Sequence, residues 1–523
     1  MFEAAEVGRR VSKEDFKKLE PEIHHLILTL QRKLRKSDKA LIIIVAGVEG
    51  AGKGEVVDRL NRWFDSRDVQ THAFWDETDE ERQRPRFWRF WRSLPIRGTV
   101  GIMFGSWYTR PIVDAAFAKI DEAQFDQRLK KIAEFERTLT DNGNILVKLW
   151  FHLPRAVQQQ RLEQDVKVSK FKKSPDLEEF AKSYDSFAKI SERALRLTDT
   201  GNAAWHIIEA GDRHYRDVAM GDAIANKLRE SLIDSDTDPE IADLESADPE
   251  STAANRDAKS GEAEAKAIDK ILQSPSAAGT VLDTVDLSCE LSRSEYQSQL
   301  KEQQARLHHL SWQMYHEKRN TLLLFEGWDA AGKGSAIRRV TSAIDARLYR
   351  VIPVAAPTDE ESGHHYLWRF WRHLPREGYA TIYDRSWYGR VLVERVEGFA
   401  SADEWQRSYQ EINDFEEHLV EHGMTIIKFW VHISHAEQLR RFKEREGDPR
   451  KQHKITEEDW RNREKWDDYK IAVNDMIAHT STARAPWTLV SGNDKLYARI
   501  QILKTIADRL EQVLQAGKVP GDR

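Results

Sequence analysis

The sequence predicts an α/β fold built twice along one chain, each copy a parallel sheet flanked by helices. Three observations predict it. The chain repeats itself at a spacing of 280 residues, apolar runs of strand length alternate with amphipathic stretches of helical period, and one apolar run ends in a glycine-rich loop that opens a helix.

The repeat comes first. Lys53 and Lys333 stand 280 positions apart, and the same offset aligns Gly47 with Gly327, Trp88 with Trp368, Pro95 with Pro375, Trp107 with Trp387, Glu136 with Glu416 and Trp150 with Trp430. After a two-residue insertion, Trp205 matches Trp487 and Asp212 matches Asp494 at 282. A chain of 523 residues is too long for one ordinary core, and the duplication accounts for the length. Residues 234–262 carry ten acidic side chains against two basic ones and few large apolar residues, the composition of a disordered linker. The predicted domains are 1–230, the acidic linker 231–285, and 286–523, the two copies pairing as a pseudo-dimer within one chain, with further self-association left open.

In the second copy the apolar runs place strands near 321–326, 350–355, 379–384, 425–431 and 487–491. Helical periodicity fits 292–318, 334–346, 364–373, 403–421, 434–445, 457–479 and 494–515. Trp368 to Arg372 (WRFWR) has aromatics at helical spacing, which reads as core rather than as a platform for a base. The basic, proline-bearing stretch from Arg445 to Ile455 falls between helices and has the character of a lid that closes over phosphates.

The loop GWDAAGKGS, Gly327 to Ser335, follows the strand LLLFE and precedes a helix. That context makes it a P-loop: backbone N–H groups and a helix N-terminus point at phosphate oxygens, glycines allow close approach, and Lys333 supplies a cation. Gly327, Ala331, Gly332, Lys333 and Gly334 are the phosphate-binding candidates. Gly334 stands where triphosphatases carry the Ser or Thr that holds magnesium, so Asp329 inside the loop is the candidate metal ligand. A second apolar strand ends in Asp384 and Arg385, where a doubly wound sheet places ligand-facing groups. Magnesium, with manganese as the alternative, takes carboxylate and phosphate oxygens together, which suits Asp329 and Asp384. Lys333 and Arg385 would act as cations on the transferred group.

This combination resembles a known family. G-x-D-x-x-G-K-G, then D-R-S-W-Y-x-R with Glu394 ten residues after Asp384, then Asp448 to Lys451 (DPRK) and Arg463 to Tyr469 (REKWDDY), looks like the polyphosphate kinase 2 family over nearly all of residues 292–515. The resemblance implies tandem P-loop kinase-like domains with a helical lid, and magnesium-assisted phosphoryl transfer between inorganic polyphosphate and a nucleotide. It further implies that Arg445 closes onto the phosphates, assisted by Lys451 and Lys454. Glu394 either reaches the metal through water or pairs with Arg390 or Arg395. Members with two fused copies are associated with nucleoside monophosphates, so AMP giving ADP is the expected reaction. Phosphorylation of ADP or GDP, and a non-catalytic polyphosphate or nucleotide sensor, are the alternatives; an ordinary ATP-dependent kinase is disfavoured by Gly334.

The copies are not equivalent. In the first, Lys53 is kept, but Glu49 replaces Asp329, Phe104 replaces Asp384 and Gly105 replaces Arg385. Phenylalanine cannot ligate a metal and glycine carries no charge, so the first copy is expected to be inactive. The net charge of -6 argues against nucleic acid as a general partner. Locally, Arg82, Arg84, Arg86, Arg89 and Arg92, and Arg369, Arg372, Arg376, Arg385 and Arg390, form the basic stretches a long polyanion needs. The single Cys289, the absence of an apolar h-region at the N-terminus and the lack of any long apolar stretch predict a cytoplasmic protein with no membrane span.

Overall fold

The computed structural model describes residues 1–168, 183–232, 280–449, 452 and 455–516. Its first sheet is formed by β1 (Leu41–Gly47), β2 (Val69–Ala73), β3 (Val100–Phe104), β4 (Ile145–His152) and β5 (Trp205–Glu209). Its second is formed by β6 (Thr321–Gly327), β7 (Tyr349–Pro353), β8 (Ala380–Asp384), β9 (Thr425–His432) and β10 (Trp487–Ser491). Both sheets are parallel throughout and share one order, β2-β3-β1-β4-β5 and β7-β8-β6-β9-β10. The duplication read from the sequence is therefore a duplication of topology.

The burial pattern explains the class. All eight residues of β9 are buried, and so are the first six of β6, as expected where helices cover both faces of a sheet. Capping boxes start the helices Arg293–His316, Ala402–Glu421 and Glu457–Glu464 at Ser292, Ser401 and Thr456. The helix expected over 457–479 is two, Glu457–Glu464 and Trp466–Thr480, which meet at Lys465. A 3-10 turn at Trp387–Val391 and one helical turn at Val393–Val396 lack the length that periodicity needs and were not expected.

The chain divides into two compact units, Met1–Ile233 with Ala355–Glu377, and Asp234–Val354 with Gly378–Arg523. Residues Ala355–Glu377 of the second repeat thus belong to the first unit, where Trp371 stacks on Trp91 at 5.7 Å. Trp368, Phe370 and Trp371 are buried there, in keeping with the core reading of that segment. Most of the expected linker lies outside the described residues. Its end does not behave as a linker: Val281–Thr284 form a turn, Leu282 is buried, and Asp283 accepts from Lys470 at 2.8 Å. Among the described residues no helix is long and apolar enough to cross a membrane.

Candidate active site

The site begins where β6, the central strand, runs out. Gly327 has φ +146°, and a Cβ there would lie 2.5 Å from the Val431 carbonyl oxygen, so the loop leaves the strand only through glycine. Gly332, φ +112°, turns the chain into the helix Lys333–Thr341. The Lys333 ammonium donates to the carbonyls of Gly327 and Trp328. Burial lowers its pKa, and Asp329 is the largest opposing influence.

Asp384 arrives from the next strand. It pairs in register with Phe325, two residues before Gly327, so the end of β8 stands beside the P-loop. Arg385 follows with φ +65°, a left-handed conformation that costs a non-glycine residue about 1–3 kcal/mol and clusters at functional sites. Its Nη2 lies 3.2 Å from Asp329 Oδ1. Burial would lower the Arg385 pKa, but Asp329 and Glu326 outweigh it and hold the guanidinium firmly charged. The other oxygen of Asp329 accepts from Asn462 Nδ2 at 3.0 Å, and the Tyr469 hydroxyl donates to Asn462 Oδ1 at 3.3 Å. Trp328 stacks on Trp466 at 3.6 Å, so the loop also rests on the helix that carries Tyr469.

Two clefts share Trp328, Asp329 and Arg385 as lining. The first holds Ala331, Gly332, Lys333, Gly334, Asp384 and Arg445, bringing together most of the residues singled out in the sequence. Arg338, Arg441, Lys495 and Arg499 complete its cationic lining. The second is lined by Glu326, Gly327, Gly389, Leu392, Val393, Trp430, Gln438, Asn462 and Tyr469. Glu394 lines neither cleft and accepts from Arg390 Nη1 at 2.8 Å, the pairing that was the alternative to a metal role. Lys451 and Lys454 lie outside the described residues.

Several participants were not foreseen. Arg441, 2% exposed, donates to the carbonyls of Ala330 and Ala331 at 3.0 and 2.8 Å and to those of Gly492 and Asn493, bracing the P-loop. Glu326, 5% exposed, accepts from Ser386 Oγ at 2.8 Å, and burial pushes its carboxyl up. A Glu at the end of an otherwise apolar strand, aligned with Ala46 in the first copy, was the available signal for it. Several of the arginines read as a polyanion track also make local contacts: Arg84 and Arg92 lie over the Trp88 ring at 4.4 and 4.6 Å, Arg372 over Trp368 at 4.6 Å, and Arg369 pairs with Glu361. Their flat guanidinium groups serve as covers for aromatic faces.

The donor set fits a hard divalent cation. Among the described residues no group of three or more His, Cys, Asp or Glu is arranged to hold a metal alone. Magnesium needs only one or two carboxylates when phosphates supply the rest, and Asp329 and Asp384 line one cleft with the P-loop.

The first unit lacks this arrangement. Lys53 pairs with Glu49 at 3.0 Å while also donating to the Gly47 and Val48 carbonyls. Arg216, buried, donates to the loop carbonyls of Ala51 and Gly52 and pairs with Glu55 and Asp217 at 3.1 and 2.9 Å. Gly105 has φ +71°, and a Cβ there would lie 2.3 Å from the Phe74 carbonyl oxygen, so the position aligned with Arg385 has no room for a side chain.

The chain matches the family model for polyphosphate kinase 2 over residues 10–235 and 290–517. It is 44% identical to the polyphosphate:AMP phosphotransferase of Pseudomonas aeruginosa, the alignment covering 99% of this chain and 100% of that one, and 41% identical to the protein of that name in Pseudomonas syringae pv. tomato, covering 99% and 100%. The GDP-polyphosphate phosphotransferase of Mycobacterium tuberculosis is 36% identical over 42% of this chain and 75% of its own length. A Pseudomonas aeruginosa PA01 chain whose crystal structure carries the name polyphosphate kinase 2 superposes with a TM-score of 0.84, at 42% identity, covering 98% of this chain and 99% of that one.

Proposed function

The chain belongs to the polyphosphate kinase 2 family, and we propose that its second unit transfers the terminal phosphoryl group of inorganic polyphosphate to AMP, giving ADP. One observation carries the choice of acceptor. The relatives named for AMP match the duplicated chain from end to end, whereas the relative named for GDP matches only 42% of it.

The two clefts suit the two substrates. Polyphosphate lies on the cationic side, over the P-loop and toward Arg338, Lys495 and Arg499, and AMP approaches from the side of Leu392, Val393 and Asn462. They meet at Asp329 and Arg385. The attacking atom is a phosphate oxygen of AMP that is already largely deprotonated near neutral pH, so the chain has no base to supply. Its work is to align the two anions and to offset their repulsion, with Lys333 and Arg385 on the transferred group and Arg445 closing from the rim. Magnesium, held by Asp329 and Asp384 with the phosphates, would neutralise charge on the donor.

The test supplies magnesium and polyphosphate with either AMP or ADP and no other phosphate donor. ADP formed from AMP is the expected result. ATP formed from ADP with AMP untouched would move the protein to the diphosphate reaction, and no product from either acceptor would refute the assignment.

We further read the first unit as a structural partner without phosphate chemistry. Its lysine is engaged by Glu49, and Arg216 sits against its loop. A Lys53→Ala chain is expected to keep kcat and the dependence on polyphosphate length unchanged. A shift in that dependence would show that the first loop still holds part of the donor.

A further inference from the structure

Glu326 is a buried acid in a reaction that requires no base. It ends a strand whose preceding residues, Leu322 to Phe325, are fully apolar and buried, and such a position is costly for a carboxyl group unless something repays it. It lines the second cleft but is only 5% exposed, and its hydrogen-bond partner is a protein hydroxyl, Ser386 Oγ at 2.8 Å.

Ser386 follows Arg385, whose backbone is held at φ +65°. Glu326 therefore grips the residue next to the left-handed turn.

The first unit serves as an internal control. There the turn residue is Gly105, φ +71°, which adopts the conformation without strain and carries no charge, and the strand residue is Ala46. Ser106 is retained and buried, and its hydroxyl still accepts from the Tyr108 N–H, as Ser386 does from Tyr388. The serine belongs to the turn in both copies, but the acid accompanies only the arginine. By contrast Glu136 and Glu416, which make the same buried contacts in both units, survive the loss of the chemistry.

We propose that Glu326 is a positioning residue: its carboxyl group accepts from Ser386 and so holds the left-handed turn that aims Arg385. The proposal rests on the reading of the second unit as a phosphotransferase, and the test separates the two.

The experiment is a double-mutant cycle in the full chain with Glu326→Ala, Arg385→Gly and both, reading kcat, KM for AMP and the melting temperature. With Arg385 present, Glu326→Ala is expected to lower kcat by about 10- to 100-fold, the scale of a misaligned catalytic group, with KM for AMP changed by less than about twofold. Glu326→Gln, which keeps an acceptor for Ser386, is expected to recover part of the loss. With Gly at 385, which copies the first unit, removing Glu326 is expected to change the residual rate by less than about twofold and to lower the melting temperature less than it does beside Arg385. Equal losses of rate and melting temperature in both backgrounds would mean that Glu326 only fills space, and a wild-type kcat for Glu326→Ala would also overturn the proposal. If the unsubstituted chain forms no ADP, the reaction assignment fails, while the melting-temperature arm of the cycle still decides whether Glu326 supports the Arg385 turn.

Discussion

An Asp384→Asn chain is expected to fold normally and to lose about a hundred- to a thousandfold in ADP formation, the range typical for removing one electrostatic group from a preorganised site. Asparagine keeps the shape of the side chain and removes the anionic oxygen proposed above as a magnesium ligand. The fold is indifferent to the residue at this point, because Phe104 occupies the same register, paired with Val45 as Asp384 is with Phe325. Activity should recover little with added magnesium if the carboxylate also orients the donor. The measurement is kcat at saturating polyphosphate and AMP beside a melting curve. A rate within tenfold of the parent would remove Asp384 from the reaction, and a collapsed melting temperature would assign it to the fold.

The largest loss of stability is expected from Glu416→Ala. Lys428 is completely buried in β9, and its ammonium is held by Glu416 Oε2, the Tyr388 hydroxyl and the Thr480 carbonyl, each at 2.8 Å. Glu416 Oε1 accepts from Tyr388 at 2.6 Å and from Trp387 Nε1 at 3.1 Å. Burial lowers the Lys428 pKa and Glu416 is the main influence opposing it, so removing the carboxylate strands a cation in the core. Breaking such a pair costs about 3–5 kcal/mol, roughly 10 °C in the melting temperature of a unit this size. Glu136→Ala should cost as much in the first unit, where Lys148 makes the same contacts with Glu136, Tyr108 and Thr198. Replacing Glu416 and Lys428 together with Met should cost less than Glu416→Ala alone, since no charge is then left unpaired. A single substitution that left the transition unmoved would show that water reaches Lys428.

The two expectations separate what each carboxylate does, and the duplication lets the chain make the same separation itself. The Lys428 and Glu416 pair recurs as Lys148 and Glu136, whereas Asp384 and Arg385 do not recur, Phe104 and Gly105 standing in their places. Much of this was legible in advance. A strand that ends in GxxxxGK, a carboxylate at the end of a second strand and a register that holds over a hundred residues are all local or translational signals, and each strand of the second sheet fell close to its expected place. The helical segment after Ile455 reads as one in the sequence because a single unbroken polar and aromatic pattern spans Lys465, where only the backbone shows the break.

By itself the sequence determined the fold class, the duplication, the glycine-rich loop with Asp329 and Lys333, the pair Asp384 and Arg385 at the end of a second strand, and their replacement by Phe104 and Gly105 in the first copy. These are encoded in spacing along the chain, and spacing survives without coordinates. Tertiary structure alone decided the sheet order that sets β8 beside β6, the grouping of Ala355–Glu377 with the first unit, the left-handed turn at Arg385, and the contacts of Glu326, Arg441, Asn462 and Tyr469. Each of these joins residues far apart in sequence or depends on a backbone angle. Asn462 and Asp329 are 133 positions apart, and no local pattern records that one carboxylate oxygen and one amide will meet.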